Sequence, residues 1–121
     1  MTPIIKLKRI YEKPAKEDGA RILVDRLWPR GVAKEKAAIK LWAKDLAPTQ
    51  GLREWFGHDP ALWAGFQGRY KVELETNEAV EAFVEEFREV KVITLLYAAK
   101  DEEHNHAIVL QRYLTKMFEQ R

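Results

Sequence analysis

The sequence predicts a single compact α/β domain over residues 1–121: a largely parallel central sheet of about four strands, flanked by helices in Rossmann-like layering. Strand-like and helix-like patterns alternate along the chain, with no repeat, low-complexity tract or linker to divide it. Two segments, Ile22-Leu23-Val24 and Val92 to Ala99 (save Thr94), are apolar on successive residues, as strands covered on both faces are. The length of 121 residues, with 46% hydrophobic and 33% charged side chains, is enough for one core without staples.

Taken in order, Ile4 to Ile10 alternates apolar and basic residues and reads as a strand with one polar face. Pro14 and Gly19 bracket a polar stretch long enough for one or two helical turns. Arg21 to Leu27 reads as an interior strand, stopped by Trp28-Pro29-Arg30-Gly31: Pro29 cannot give a ladder bond, and Gly31 permits angles other residues avoid. Ala33 to Ala38 suits a short helix, and Ile39 to Leu46 an extended segment closed by Pro48. Thr49 is placed to cap a helix carrying Leu52, Trp55 and Phe56 and ending at Gly57. Asp59-Pro60 starts the next, whose stripe is Leu62, Trp63, Phe66, Tyr70 and Leu74; Trp55 and Trp63 are expected in the core. Asn77 caps a third with Val80, Phe83, Val84 and Phe87 inward. Lys91 to Ala99 has the pattern of a central parallel strand. Asp101 or a neighbour then caps a final helix that buries Ala107, Leu110, Leu114, Met117 and Phe118.

Composition narrows the chemistry. The absence of cysteine removes disulfides, thiolate nucleophiles, Fe–S clusters and cysteine-ligated zinc. No apolar run approaches the ~20 residues of a membrane span, and no signal-peptide core follows Met1, so a soluble cytoplasmic protein that does not engage a membrane is expected. The net charge of +2 hides an asymmetry: residues 1–60 carry 13 Lys and Arg against 8 Asp and Glu, and residues 61–121 carry 8 against 11. Only Lys6, Lys8 and Arg9 cluster tightly, which suits a solvated sheet edge better than a nucleic-acid stripe.

In an open parallel sheet, ligands gather beyond the carboxyl ends of the strands. Two strands here end in polar clusters, Asp25-Arg26 with Trp28 and Arg30, and Tyr97 with Lys100-Asp101 through His106. Adjacent parallel strands would line one crevice with both. Every member also has a structural use: Asp25 and Arg26 can satisfy one another, Arg30 can tie down its loop, and Asp101 to Glu103 suit the positive end of a helix. Those same acids would repel a phosphate at that helix, so Arg26, Arg30 and Lys100 would have to outweigh them. His104 and His106 are two apart, about 200° around a helix, and cannot share a metal ion there. No metal is expected, and no phosphate-binding Gly-rich loop or other cofactor motif is present. A lone imidazole moving a proton is more plausible.

Four motifs together carry a resemblance: Val24-Asp25-Arg26-Leu27-Trp28-Pro29-Arg30-Gly31; Trp42-x-Lys44-Asp45-Leu46-Ala47-Pro48; Trp55-Phe56-Gly57-His58-Asp59-Pro60; and Leu95-Leu96-Tyr97-Ala98-Ala99-Lys100-Asp101-Glu102-Glu103-His104-Asn105. The chain resembles the YeaO-like branch of the domain of unknown function 488 family over nearly its whole length. The resemblance implies a compact α/β domain and no particular activity. In the family's other branch a cysteine ends the last strand and a Cys-His-Arg triplet opens the last helix; here the corresponding residues are Tyr97 and Asn105-His106-Ala107. Thiol chemistry is therefore absent, with the Tyr97 hydroxyl in place of sulfur.

The expected function is a small anionic-ligand site, binding or hydrolytic, at the carboxyl edge of the sheet. His104 or His58 would move a proton and Tyr97 would hydrogen-bond the ligand. Asp25, Arg26, Trp28, Arg30, Lys100, Asp101 and Asn105 would bind it, without a cofactor, in a monomer or homodimer. The rival is a non-enzymatic module that binds protein or nucleic acid through the basic N-terminal half.

Overall fold

The computed structural model describes residues 2–120. Four parallel strands form one sheet in the order β1-β4-β2-β3: β1 Ile4–Arg9, β2 Ala20–Leu23, β3 Leu41–Trp42 and β4 Val92–Tyr97. β4 is central, as its sequence, apolar but for Thr94, predicts, pairing Ile4 with Val92 through Arg9 with Tyr97 on one side and Ala20 with Ile93 through Leu23 with Leu96 on the other. β1 is an edge strand, and its lysines stitch rather than dangle: Lys6 Nζ donates to Glu17 O (3.1 Å) and Lys8 Nζ to Asp18 (3.1 Å). The polar stretch after β1 condenses into a single 3-10 turn, Lys16–Asp18. Gly19 follows it at φ 64°, and a Cβ there would stand 2.8 Å from Val92 Cβ, so only glycine lets β2 start beside β4.

The five helices are α1 Lys34–Ala37, α2 Gln50–Phe56, α3 Trp63–Glu75, α4 Glu78–Phe87 and α5 His106–Glu119. Three of the predicted caps form, and the last helix is capped by Asn105 rather than by Asp101. Thr49 Oγ1 accepts from Leu52 N, Asp59 from Ala61 N and Asn77 from Ala79 N, while Gly57 ends α2 in the left-handed region. Asp59-Pro60 opens a 3-10 turn, Pro60–Leu62, that leads into α3. Cover on the sheet is unequal. Leu52 and Phe56 of α2, Phe66, Tyr70 and Leu74 of α3, and the buried stripes of α4 and α5 pack with Ile22, Val24, Ile93, Leu95 and Tyr97 on one face. On the other face Leu23 and Leu96 meet only Ile10, Ala37 and the partly buried Trp28, Val32, Ile39, Trp42 and Ala98. Period-2 alternation along β4 thus sorts its side chains between a thick and a thin layer.

Three expectations change at the element level. β2 ends at Leu23 rather than Leu27: Val24 N still donates to Leu96 O (3.0 Å), but the next acceptor for β4 is a side chain, Asp25 Oδ2, which takes the Ala98 N–H at 3.1 Å. Of Ile39 to Leu46 only Leu41–Trp42 is strand, and Lys44–Leu46 is a 3-10 turn. Trp55 is 38% exposed instead of buried, because α2 turns that side to solvent, where its ring lies 4.2 Å from the Arg69 guanidinium. Trp63 is partly buried, stacked 5.8 Å from Phe66. Among the described residues no helix is long and apolar enough to cross a membrane.

Candidate functional site

Because β2 and β4 are adjacent and parallel, the loops that follow them leave the sheet side by side and open one cavity of about 570 Å³. Asp25 to Pro29 line it from the β2 loop, Ala98 to Asp101 with Asn105 and His106 from the β4 loop and the start of α5. Ala47 and Pro48, then Arg53, Phe56 and His58 of α2 and its end, and Phe66 of α3 close the remaining walls.

Two arginines brace this edge through carbonyls. Arg9 Nε and Nη2 donate to Ala99 O (2.9 Å) and Ala98 O (3.0 Å), holding the β4 loop. Arg26 Nε and Nη2 donate to Pro48 O (2.9 Å) and Ala47 O (3.1 Å), so most of its guanidinium is occupied by the scaffold, with Nη1 left over. The tryptophan indoles lock the β2 loop: Trp28 Nε1 donates to Val32 O and Trp42 Nε1 to Asp25 O, each at 2.7 Å, and the two rings meet edge to face at 5.3 Å.

Both acidic residues on the wall have internal partners. Asp25 accepts the Ala98 N–H and lies 3.1 Å from His106 Nε2, which is also 3.0 Å from Val24 O. Its Oδ1 is buried and receives no hydrogen bond, so the attraction to the imidazole is one of charge, present when the ring is protonated. Asp101 accepts the N–H of Glu103 (2.9 Å) and of His104 (3.0 Å), and its Oδ2 meets His104 Nδ1 at 2.9 Å. The Glu103 N–H and the His104 ring hold the Asp101 carboxyl below its ordinary range. Glu102 and Glu103 stand exposed and off the cavity wall, so of that acidic run only Asp101 faces a ligand.

By contrast Arg53, Lys100 and His58 line the cavity with no side-chain hydrogen bond or ion pair among the described residues; the His58 ring stands 6.3 Å from Phe56. His58 is held at φ 57°, a left-handed conformation that a non-glycine residue adopts at a cost.

Of the residues singled out in the sequence, Asp25, Arg26, Trp28, His58, Lys100, Asp101 and Asn105 come together on the wall. Asn105 is there as the α5 cap, accepting from Ile108 N (3.2 Å) and donating to Asp101 O (2.9 Å). Arg30, Tyr97 and His104 do not line the cavity. The Pro29–Gly31 turn carries Arg30 outward, where it is exposed, its carbonyl taking the Tyr11 hydroxyl at 2.9 Å. Tyr97 follows Leu95 onto the thick face and is 3% exposed; burial raises its pKa and the Glu102 and Glu12 charges add to this, so the phenol stays protonated. His104 turns to Asp101 and to the edge of Trp63, with ring centroids 5.5 Å apart. The two-residue spacing that separates His104 from His106 sends one away from the cavity and the other into it.

Arg53 is the functional candidate that sequence reasoning missed, and His106, placed in the crevice cluster, was passed over for His104 as the imidazole that moves a proton. His106 carried a signal, since it is the first residue of the helix that Asn105 caps. Arg53 carried none, because nothing in its own segment says that α2 returns to the β2 and β4 loops. Among the described residues no group of three or more His, Asp or Glu side chains converges in the manner of a metal site.

Over residues 4–121 the sequence matches a protein family described as the inactive DUF488-N3 subclade (DUF488-N3i). The chain is 38% identical over 113 residues to the uncharacterized protein YeaO of Escherichia coli, an alignment covering 93% of this chain and 98% of the relative. It is 36% identical over 110 residues to the uncharacterized protein Rv3073c of Mycobacterium tuberculosis, covering 91% of this chain and 92% of that one. No solved structure matches the chain significantly.

Proposed function

The chain belongs to the DUF488 family, in its YeaO-like branch, and from that premise we propose that the carboxyl-edge cavity binds a small anionic molecule without transforming it. The observation that carries this reading is a mismatch of pairing. Asp101 and Asp25 Oδ2 already accept internal hydrogen bonds and Asp25 Oδ1 faces His106, while the Arg53 and Lys100 side chains have no partner among the described residues and Arg26 keeps one nitrogen free. An unpaired guanidinium and ammonium in one concavity favour a carboxylate or phosphate, since each is a charged donor with no local acceptor. The amino end of the 14-residue helix α5 faces the same space and adds a positive partial charge.

Binding is favoured over turnover for two reasons. No lining residue carries a hydroxyl or thiol that could act as a nucleophile, and the matching family is described as an inactive subclade. The Asp25–His106 pair at 3.1 Å is the one feature that favours hydrolysis, with His106 moving a proton; release of product that depends on His106 would establish that reading instead. For the rival nucleic-acid or protein module, Lys6, Lys8, Arg9, Arg21 and Arg26 of the basic N-terminal half donate to internal acceptors, which leaves its exposed lysines, such as Lys13, Lys16, Lys36 and Lys40, to make such a contact.

The test is thermal unfolding with inorganic phosphate at constant ionic strength. Phosphate at about ten times its Kd should stabilise the protein by about 1.4 kcal/mol, and Arg53→Ala with Lys100→Ala should abolish the shift. No stabilisation of the parent protein, or an equal shift in the double variant, would refute the proposal.

A further inference from the structure

Resting on that anion-binding reading, we infer that the ligand is a phosphate monoester that carries a flat aromatic ring, of about mononucleotide size. The cavity of about 570 Å³ is the first reason. A bare phosphate fills the bulk of a few waters at roughly 30 Å³ each, whereas cavities of roughly 300–1,000 Å³ hold organic molecules.

The second reason is the composition of the wall. Beside its cations it presents Leu27, Trp28, Pro29, Pro48, Phe56 and Phe66. Phe56 and Phe66 are buried against one another, at 4.3 Å between centroids, and form a rigid backing rather than a contact surface. The hydrocarbon still open to an occupant belongs to Leu27, 62% exposed, and to the partly exposed Trp28. A lone exposed leucine is ordinary on a convex surface. On a cavity wall, next to an indole fixed in place by its hydrogen bond to Val32, its T-shaped contact with Trp42 and Lys34 Nζ 5.6 Å over its ring, it adds an apolar surface for a planar body.

The third reason is charge. Arg53 and Lys100 are two free cations, and the spare Arg26 nitrogen is a third donor. That suits a phosphomonoester dianion better than a single carboxylate, which one arginine would satisfy. The ester group lies among these donors and the ring rests on Leu27 and Trp28.

Calorimetric titration of the full chain with AMP, ribose 5-phosphate, adenosine and inorganic phosphate separates the two layers of the argument. AMP should bind at least about tenfold more tightly than ribose 5-phosphate or adenosine. Leu27→Ser, a change at an exposed position, should weaken AMP several-fold and leave ribose 5-phosphate unchanged, whereas Arg53→Ala should weaken both alike. If ribose 5-phosphate or phosphate binds as tightly as AMP, the aromatic ring is refuted while the anion site stands. If adenosine matches AMP, the ester group is refuted. If none of the phosphates binds, this inference and the anion-binding reading fall together.

Discussion

Two clusters of charge in this molecule have opposite fates. On the thin face of the sheet, Arg21 and Asp18 are buried and every group is matched: Arg21 Nη1 meets Asp18 Oδ2 at 2.6 Å, and Arg21 Nη2 donates to Ala37 O at 2.9 Å. Lys8 adds bonds to the same carboxylate at 3.1 Å, and Thr94 Oγ1 donates to Asp18 O at 2.6 Å. At the carboxyl edge Asp101 and Asp25 Oδ2 accept internal hydrogen bonds, Asp25 Oδ1 accepts none, and the cations Arg53 and Lys100 are unpaired among the described residues. Residue type does not separate the clusters, since both mix Arg, Lys and Asp. Completeness of pairing does. A closed network tethers the 3-10 turn, β2 and the end of α1 where little hydrocarbon is available; an open one in a concavity leaves binding capacity to be used by something else.

The comparison breaks first, and hardest, at Arg21. Arg21→Ala removes the shortest contact of a buried carboxylate, which keeps Lys8 and the Ala15 N–H, and strands the last carbonyls of α1; it should cost about 3 kcal/mol. Thermal denaturation should show a Tm lower by on the order of 10–20 °C. A loss no larger than that of a surface substitution would mean that the thin-face network is ornamental.

A smaller effect sharpens the same contrast through pH. Burial pushes the Asp18 carboxyl up, but the Ala15 N–H, Lys8 and Arg21 outweigh it and hold the pKa below its ordinary value. The unfolded chain therefore takes the proton first. This contribution is complete above the ordinary carboxylate range and is lost as pH falls through the folded value. Denaturant midpoints followed from neutral pH downward should decline in the parent protein, and Asp18→Asn should flatten part of that decline. An identical profile in the variant would remove Asp18 from the account.

The smallest expected effect is the most telling. Arg53→Ala, which breaks no internal bond, should change stability by no more than about 0.5 kcal/mol in the absence of ligand while weakening the phosphate response. A loss of several kcal/mol would show that Arg53 belongs to the scaffold, like Arg21.

Much of the fold could be read locally. Thr49, Asp59 and Asn77 were identifiable as caps from their position before apolar stripes, and β4 as central from Val92 to Tyr97. The family resemblance likewise rested on contiguous motifs and agrees with the matched family. The extent of β2 was not legible, because a strand ends where its ladder partner is replaced, and Asp25 Oδ2 takes that place only when β4 is alongside. Nor were Arg30 and Tyr97 separable from Arg53 as cavity residues. Which way a turn carries a side chain, and which face of a strand meets the helices, depends on elements far away in sequence.

What the chain determined by itself were the caps, the periodicities, the absent thiol and the two polar strand ends, all set by interactions over a few residues. The strand order β1-β4-β2-β3 was decided only when the most apolar strand took the middle of the sheet. Burial is non-directional and acts between segments some 70 residues apart, as Asp25 and Ala98 are. That one tertiary choice brought the β2 and β4 loops together, delivered α2 with Arg53 to the same wall, and turned His106 inward.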